Sequence, residues 1–238
     1  MNPLTLNAIA LSIFGMTLSV LLSPFLPISP WLPAGLTFAI LSAATFDSFR
    51  FQSFGLTLVL DTIAQQFPGY RKRVLHHEAG HFLAAYLLGL PIQSYALSLR
   101  EALNQGQPNQ GQPNQGQPIQ AGIILKQPEQ IQPWIQENIK ALCTVWAAGG
   151  AAEKLKHGSI QGNEDDMQQL RSTLKALGLS VSLYERQAHS DAQQLFERHR
   201  DSYEALVLLM AERRSVAECC AVLKKLQPCA APEPAGSL

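Results

Sequence analysis

Three residues, His77, Glu78 and His81, have the types and the spacing that metal chemistry requires. Two histidines four positions apart project from the same face of a helix, so both imidazoles can bind one zinc ion. Glu78 then lies beside that ion, where its carboxylate can take a proton from a water molecule acidified by the metal. The hydroxide produced would attack a peptide carbonyl. The pattern therefore predicts a zinc peptidase with Glu78 as the general base.

The segment around this motif has the signals of a single helix. It follows the pair Pro68 and Gly69 and stops at Gly89, as helices commonly do. Its apolar neighbours would make the motif side chains costly to bury without a partner such as a metal ion. His76 points about 100° away from His77 around the helix, so we interpret it as a surface or supporting residue rather than a ligand.

A catalytic zinc site needs a third protein ligand and an open position. The continuation that metzincins share requires Gly and His at fixed steps after the motif, but Ala84 and Leu87 occupy those steps. An acidic cluster further along offers a thermolysin-like Glu164 and two aspartates, Asp165 and Asp166. The residues alone leave the choice among these three carboxylates open.

The overall composition excludes some functions and favours a reducing compartment. The formal net charge is zero and only 15% of the residues are charged, so we expect no nucleic-acid partner. The chain lacks the Gly-x-x-x-x-Gly-Lys-Ser/Thr loop, so we expect no ATP binding. No Cys-x-x-Cys pair occurs among the cysteines, which are interpreted as free thiols in a reducing environment.

The N-terminal part has the composition of membrane-spanning segments. Residues 1–46 contain no Asp, Glu, Lys, Arg or His. Apolar runs at 4–22 and 31–46, separated by prolines, predict two transmembrane helices within residues 1–49. Basic residues follow these runs but do not precede them, which places the rest of the chain on the cytoplasmic or stromal side. We therefore expect an integral membrane protein in contact with the lipid bilayer.

The remainder divides into a connector, one compact domain and a tail. Residues 50–69 have the mixed composition of a connector at a membrane surface. Residues 70–227 are long enough for one domain, which we predict to be of the α+β class and mostly α-helical. Residues 228–238 are rich in proline and predict a disordered tail.

Within the domain, local patterns predict a small β-hairpin and several helices. The runs at 92–99 and 121–126 favour two strands. Between them a repeat of Asn-Gln-Gly-Gln-Pro at 104–118 predicts a disordered loop. Helical patterns return from residue 131, with breaks near Gly178 and Ser190. A run of small residues at 147–152 would let another helix approach closely.

Three of these segments, taken together, resemble the peptidase domain of FtsH-type membrane proteases across about residues 70–185. They are His-Glu-Ala-Gly-His at 77–81, the small-residue helix around 147–153, and the turn at 162–167, in the order and spacing of that family. The resemblance implies that His77, His81 and Asp166 hold Zn²⁺ and that Glu78 is the catalytic base. It also implies that the strand at 121–126 aligns the substrate through backbone hydrogen bonds.

The chain departs from that family in three places. Asp165 stands where the family usually has Asn, and Gly150 stands where it often has Arg. The ATPase module is missing, so we expect an ATP-independent endopeptidase that cuts flexible segments of protein or peptide substrates, membrane proteins among them. Assembly into a homo-oligomer, or help from a partner unfoldase, would follow from the same resemblance. Glu153 is either a partner of a ligand or a solvent-facing helix residue.

Two alternative functions share the same motif. One is a proteolytically inactive FtsH-like subunit that assists membrane assembly or acts as a chaperone, although the intact motif argues against it. The other is an intramembrane site-2-type protease. Arg71, Lys72 and Arg73 precede the motif, and only about ten uninterrupted apolar residues follow it, too few to span a bilayer. We therefore favour the zinc endopeptidase.

Overall fold

The computed structural model describes residues 54–105 and 121–226 without a break, together with scattered positions between Ala10 and Thr45. The chain divides into two compact units, residues 1–60 and 61–238. The hydrophobic core and the candidate site belong to the second unit. From residue 54 onwards the described elements are, in chain order, α1 (Phe54–Ala64), α2 (Pro68–Leu87), β1 (Ile92–Ala96), α3 (Leu99–Asn104), β2 (Gly122–Leu125), α4 (Ile131–His157), α5 (Glu164–Ala176), α6 (Val181–Arg198), α7 (Arg200–Ala211) and α8 (Val216–Leu226).

The structure does not support the predicted transmembrane helices. Among the residues that it describes, no helix combines the length and the apolar character needed to cross a membrane. Helix α1 has 11 residues, whereas a span needs about 20, and the longer helices α2, α4 and α6 carry several charged residues. The prediction of two transmembrane helices in residues 1–49, and of an integral membrane protein, is therefore wrong. An apolar composition indicates a span only where one unbroken helix carries it; the rest of that segment lies outside the described residues.

The predicted hairpin is present and shorter than expected. Strands β1 and β2 pair antiparallel, with Ile92 opposite Leu125 and Ala96 opposite Gly122. Beyond Ala96 the chain turns into α3, a helix that the sequence patterns did not predict. Ser98 caps it, because its hydroxyl accepts a hydrogen bond from the backbone N–H of Glu101. Nearly all of the repeat at 104–118 lies outside the described residues.

Helices α2 and α4 form the centre of the domain and lie unusually close together. A Cβ atom at Gly80 of α2 would lie 2.7 Å from the carbonyl oxygen of Ala148 and 2.8 Å from Cβ of Ala152, both on α4. The small residues at 147–152 permit this approach, as their sequence predicts. Helix α6 packs against α4, and α7 packs against α2, so the two central helices are buried along much of their length.

The helical breaks agree only in part with the sequence prediction. The break near Gly178 is confirmed: this glycine has a φ of +67°, which favours a residue without a side chain. The break near Ser190 is wrong, because α6 runs through it to Arg198. Ala188, Ala192 and Phe196 are buried on one face of α6, and this packing outweighs the weak helix preference of serine.

Candidate metal centre

His77, His81 and Asp166 come together, with both histidines buried and Asp166 partly exposed. The two histidines lie one helical turn apart on α2, and Asp166 lies in the first turn of α5. Asp166 Oδ2 lies 3.0 Å from Nε2 of His77 and 3.3 Å from Nε2 of His81, and the two Nε2 atoms are 2.9 Å apart. Tetrahedral coordination with bonds of about 2.0–2.1 Å would set ligand atoms about 3.3 Å apart. The three side chains therefore form a group that could hold a metal ion.

The other nitrogen of each imidazole is held by an acceptor. Nδ1 of His77 lies 2.8 Å from Oε1 of Glu153, and Nδ1 of His81 lies 2.7 Å from the carbonyl oxygen of Val145. A carbonyl oxygen or an ionised carboxylate only accepts hydrogen bonds, so each ring donates through Nδ1. The lone pair of each neutral ring is then on Nε2, which is the tautomer that a metal ligand needs.

This tautomer leaves three acceptor atoms facing one another without a donor. Both Nε2 lone pairs and the Asp166 carboxylate converge within 3.3 Å. Three acceptors at these distances repel one another unless a cation or a proton lies among them. The arrangement therefore fits a divalent cation bound by two imidazoles and one carboxylate.

Helix α4 leaves room for the ligand atoms at one position. A Cβ atom at Gly149 would lie 2.6 Å from Nε2 of His77 and 2.6 Å from Nε2 of His81. Real Cβ atoms do not approach so closely, so any side chain here would displace the imidazoles. Gly149 therefore lets the backbone of α4 lie directly against the candidate metal centre.

Glu153 is a buried carboxylate that four hydrogen bonds keep ionised. Its side chain is 1% exposed, and it accepts from Arg73 Nη1 at 2.9 Å and from the backbone N–H groups of Gln161 and Gly162 at 2.9 and 3.1 Å, besides His77. Burial alone would raise the pKa of Glu153, but the bonds from His77, Arg73 and Gln161 lower it to about 2. Glu153 is thus charged at neutral pH and orients His77.

The charges of the group formed by His77, His81 and Asp166 favour a proton or a metal cation among the ligand atoms. Burial alone would lower the pKa of His77, but its hydrogen bonds to Asp166 and Glu153 raise that pKa to about 10. Burial would also raise the pKa of Asp166, yet the neighbouring His81 and His77 hold it well below its usual range. In the absence of a metal ion the group therefore retains a proton, and a metal ion must displace it.

Glu78 lies next to the triad and keeps one oxygen without a partner. The residue is 8% exposed, and Oε2 has no hydrogen-bond partner among the described residues. Burial raises the pKa of Glu78, and the nearby imidazoles of His81 and His77 oppose that rise. The start of β2 is close by, since a Cβ at Gly122 would lie 3.7 Å from this oxygen. A buried carboxylate oxygen without a partner calls for a donor such as water or substrate.

The other candidates from the sequence lie elsewhere. Glu164 and Asp165 are exposed, and neither belongs to the group around the histidines. His76 is buried rather than on the surface, and its Nδ1 lies 2.8 Å from the Tyr203 hydroxyl. The sequence patterns gave Arg73 no role at the site, and its position one helical turn before His77 was the one available signal.

Comparisons with known proteins give no family for this chain. No protein-family model matches it, and no curated protein is detectably similar to it in sequence. The resemblance to FtsH-type peptidases therefore stays a prediction that rests on the three short segments described above.

Proposed function

We propose that the chain is a zinc-dependent metalloendopeptidase. The observation that carries the proposal is the convergence of three acceptor atoms from His77, His81 and Asp166, with the oxygen of Glu78 beside them. Two imidazoles and one carboxylate with a further position open are the ligand set of catalytic zinc sites. When bound there, zinc would supply a Lewis acid that acidifies water and polarises a carbonyl group.

The residues around the metal ligands have separate roles in this proposal. Glu78 Oε2 takes the proton from the attacking water and then passes it to the leaving amine nitrogen. Glu153 and the carbonyl group of Val145 hold the two imidazoles so that their Nε2 atoms face Asp166. Both imidazoles are buried, and the lower local dielectric strengthens these interactions.

The edge of β2 is the surface on which an extended substrate would be aligned. One edge of this strand pairs with β1, and no further strand covers the other edge within the described residues. Because β2 begins beside Glu78, a peptide added to this edge by backbone hydrogen bonds would pass close to the general base. This geometry favours flexible, extended segments as substrates, and the sequence contains no loop for ATP.

The test compares wild type with Glu78→Gln and with Glu137→Gln, an exposed glutamate on α4 that serves as the control. We expect wild type and both variants to retain about one zinc per chain by elemental analysis. Hydrolysis of a fluorescently labelled unstructured protein should fall by at least about 10²-fold in Glu78→Gln alone.

Equal hydrolysis by wild type and Glu78→Gln would contradict the proposed role of Glu78. A folded wild-type chain that retains no metal would contradict the metallopeptidase as a whole. A chain that binds zinc and cleaves none of a broad set of unstructured proteins would favour the proteolytically inactive alternative.

A further inference from the structure

We propose that Arg73 is a positioning residue that connects the ligand His77 to the third ligand, Asp166; the inference rests on the proposed metal site. Arg73 lies on α2, one helical turn before His77. A single nitrogen, Nη1, donates at 2.9 Å to Oε2 of Glu153 and at 2.9 Å to the carbonyl oxygen of Ser159. Arg73 therefore contacts both the carboxylate that orients His77 and the loop that leads to Asp166.

The first part of the connection runs through Glu153, whose two oxygens are bonded on different sides. Oε1 accepts from Nδ1 of His77 and from the backbone N–H of Gly162. Oε2 accepts from Arg73 and from the backbone N–H of Gln161. With Oε2 fixed by a charged donor, Oε1 is held towards His77, and charge-assisted bonds of this kind are the stronger ones.

The second part of the connection runs through the loop between α4 and α5. Its residues 159, 161 and 162 all bond to Arg73 or Glu153 through their backbone groups. Asp166 follows Gly162 by four residues, in the first turn of α5. Loss of the guanidinium would release this loop at Ser159 and leave the buried carboxylate with one donor fewer, so both Asp166 and His77 would lose their fixed positions.

An ordinary surface ion pair does not describe this contact. The side chain of Glu153 is 1% exposed and that of Arg73 is 19% exposed. Exposed pairs contribute little, whereas removing one partner of a buried pair leaves an uncompensated charge. We therefore expect the contact between Arg73 and Glu153 to control the geometry of the ligands. Mutation of a residue that orients a metal ligand typically lowers metal affinity by about 10–100-fold.

The experiment measures the dissociation constants for Zn²⁺ and Co²⁺ by competition with a chromophoric chelator, using the full chain. We expect Arg73→Met to weaken both by about 10–100-fold. Arg73→Lys should restore most of the affinity, because both bonds of Arg73 come from one nitrogen and a lysine ammonium, which has three N–H donors, can make both. Arg71→Met is the matched control, since Arg71 is exposed on the same helix, and it should bind like wild type.

Two further readouts separate positioning from folding. Circular dichroism of the metal-free variants shows whether each is folded, and Arg73→Gln takes the place of Arg73→Met if the latter does not fold. The visible spectrum of the Co²⁺ form at saturation reports the ligand geometry. We also expect the losses caused by Arg73→Met and Glu153→Gln to be less than additive, because Arg73 acts in part through the Glu153 carboxylate.

Wild-type affinity in folded Arg73→Met or Arg73→Gln would overturn the inference and leave the metal site intact. An Arg73→Lys variant no better than Arg73→Met would also overturn it, because the role would then not depend on the donated bonds. A folded wild-type chain that binds neither ion would overturn the proposed function, and this inference with it.

Discussion

Asp166 completes the candidate metal centre from the first turn of α5, and this contact is the most direct one to test by mutation. Its Oδ2 lies 3.0 Å from His77 Nε2 and 3.3 Å from His81 Nε2. The neighbouring Glu164 and Asp165 are exposed, because successive positions on a helix point in directions about 100° apart. Only one carboxylate of the acidic cluster therefore reaches the imidazoles.

We predict that Asp166→Asn weakens Zn²⁺ binding by at least about 10²-fold, because one of three protein ligands loses its charge. Asp165→Asn is the control and should bind zinc like wild type. Chelator competition measures both dissociation constants. A larger loss of zinc affinity in Asp165→Asn than in Asp166→Asn would show that Asp166 is not the third ligand.

Metal affinity should depend on pH above neutrality, where an ordinary histidine no longer carries a proton. The metal-free chain keeps a proton on His77 up to a pKa of about 10, because Asp166 and Glu153 accept its hydrogen bonds despite its burial. Metal binding must release that proton. We therefore predict that zinc affinity continues to rise with pH above neutrality, whereas with an unperturbed histidine it would level off above about pH 6.5.

The check is a chelator competition at several pH values, with Glu153→Gln as the comparison. That variant replaces the charged acceptor of one of the bonds that raise the pKa of His77 by a neutral amide, so its affinity should level off at a lower pH. A wild-type affinity that is constant above pH 7 would mean that the proton on His77 is not the one displaced.

At the residue scale, sequence reasoning could find what depends on local spacing. The pair of histidines follows from a helical period, and Asp166 followed from the family resemblance. The contacts of Glu153 could not be found in the same way, because its partners Arg73 and His77 lie 80 and 76 positions away. Such contacts depend on how helices pack, which a short motif does not encode.

At the scale of elements, the close approach of α2 to α4 depends on Gly80, which has no side chain to hold the helices apart. Gly80 faces the backbone of α4, with Ala148 and Ala152 opposite. Gly69, on the same helix, has no atom within 4 Å of its potential Cβ. Substitution of Gly80 therefore tests helix packing, whereas substitution of Gly69 tests helix propensity alone.

We predict that Gly80→Ala lowers the free energy of unfolding of the metal-free protein by about 1–3 kcal/mol, because the added methyl group must push the two helices apart. Gly69→Ala should leave stability unchanged or raise it by up to about 1 kcal/mol, since alanine is the better helix former. Urea titration followed by circular dichroism measures both. Equal effects at the two positions would contradict the close packing described above.

The elements themselves were partly predictable. Alternation and periodicity indicated the hairpin and most of the helices, and Gly178 marked a true boundary. Ser190 did not, because tertiary packing decides whether a weak helix former ends a helix. Helix α3 was missed because its six residues are too few for a periodic pattern.

At the scale of the whole molecule, the candidate site and the core belong to one unit of the chain. Among the described residues, the buried residues of the core lie between Ala79 and Leu223, within the unit of residues 61–238. We predict that a fragment of residues 54–238 folds and binds zinc with the affinity of the full chain. Circular dichroism and chelator competition test this, and a fragment at least about tenfold weaker in binding would show that the preceding residues support the site.

Composition was a poor guide for the N-terminal residues. The absence of charge in residues 1–46 predicted membrane spans, but a span needs one continuous helix that is both long enough and apolar enough. No described helix meets that condition. Helix α2, in contrast, was predicted correctly, because the spacing of its histidines and the residues at its two ends indicate a helix.

The contact between Asp166 and His77 joins residues 89 positions apart in the chain, and this separation has a kinetic consequence. Closing a loop of that length costs chain entropy before the contact compensates for it, so we expect this contact to form late in folding. The binding group would then be incomplete in the folding transition state. Zinc present during refolding should leave the folding rate unchanged and slow unfolding instead, so that the bound ion acts mainly on the lifetime of the native state.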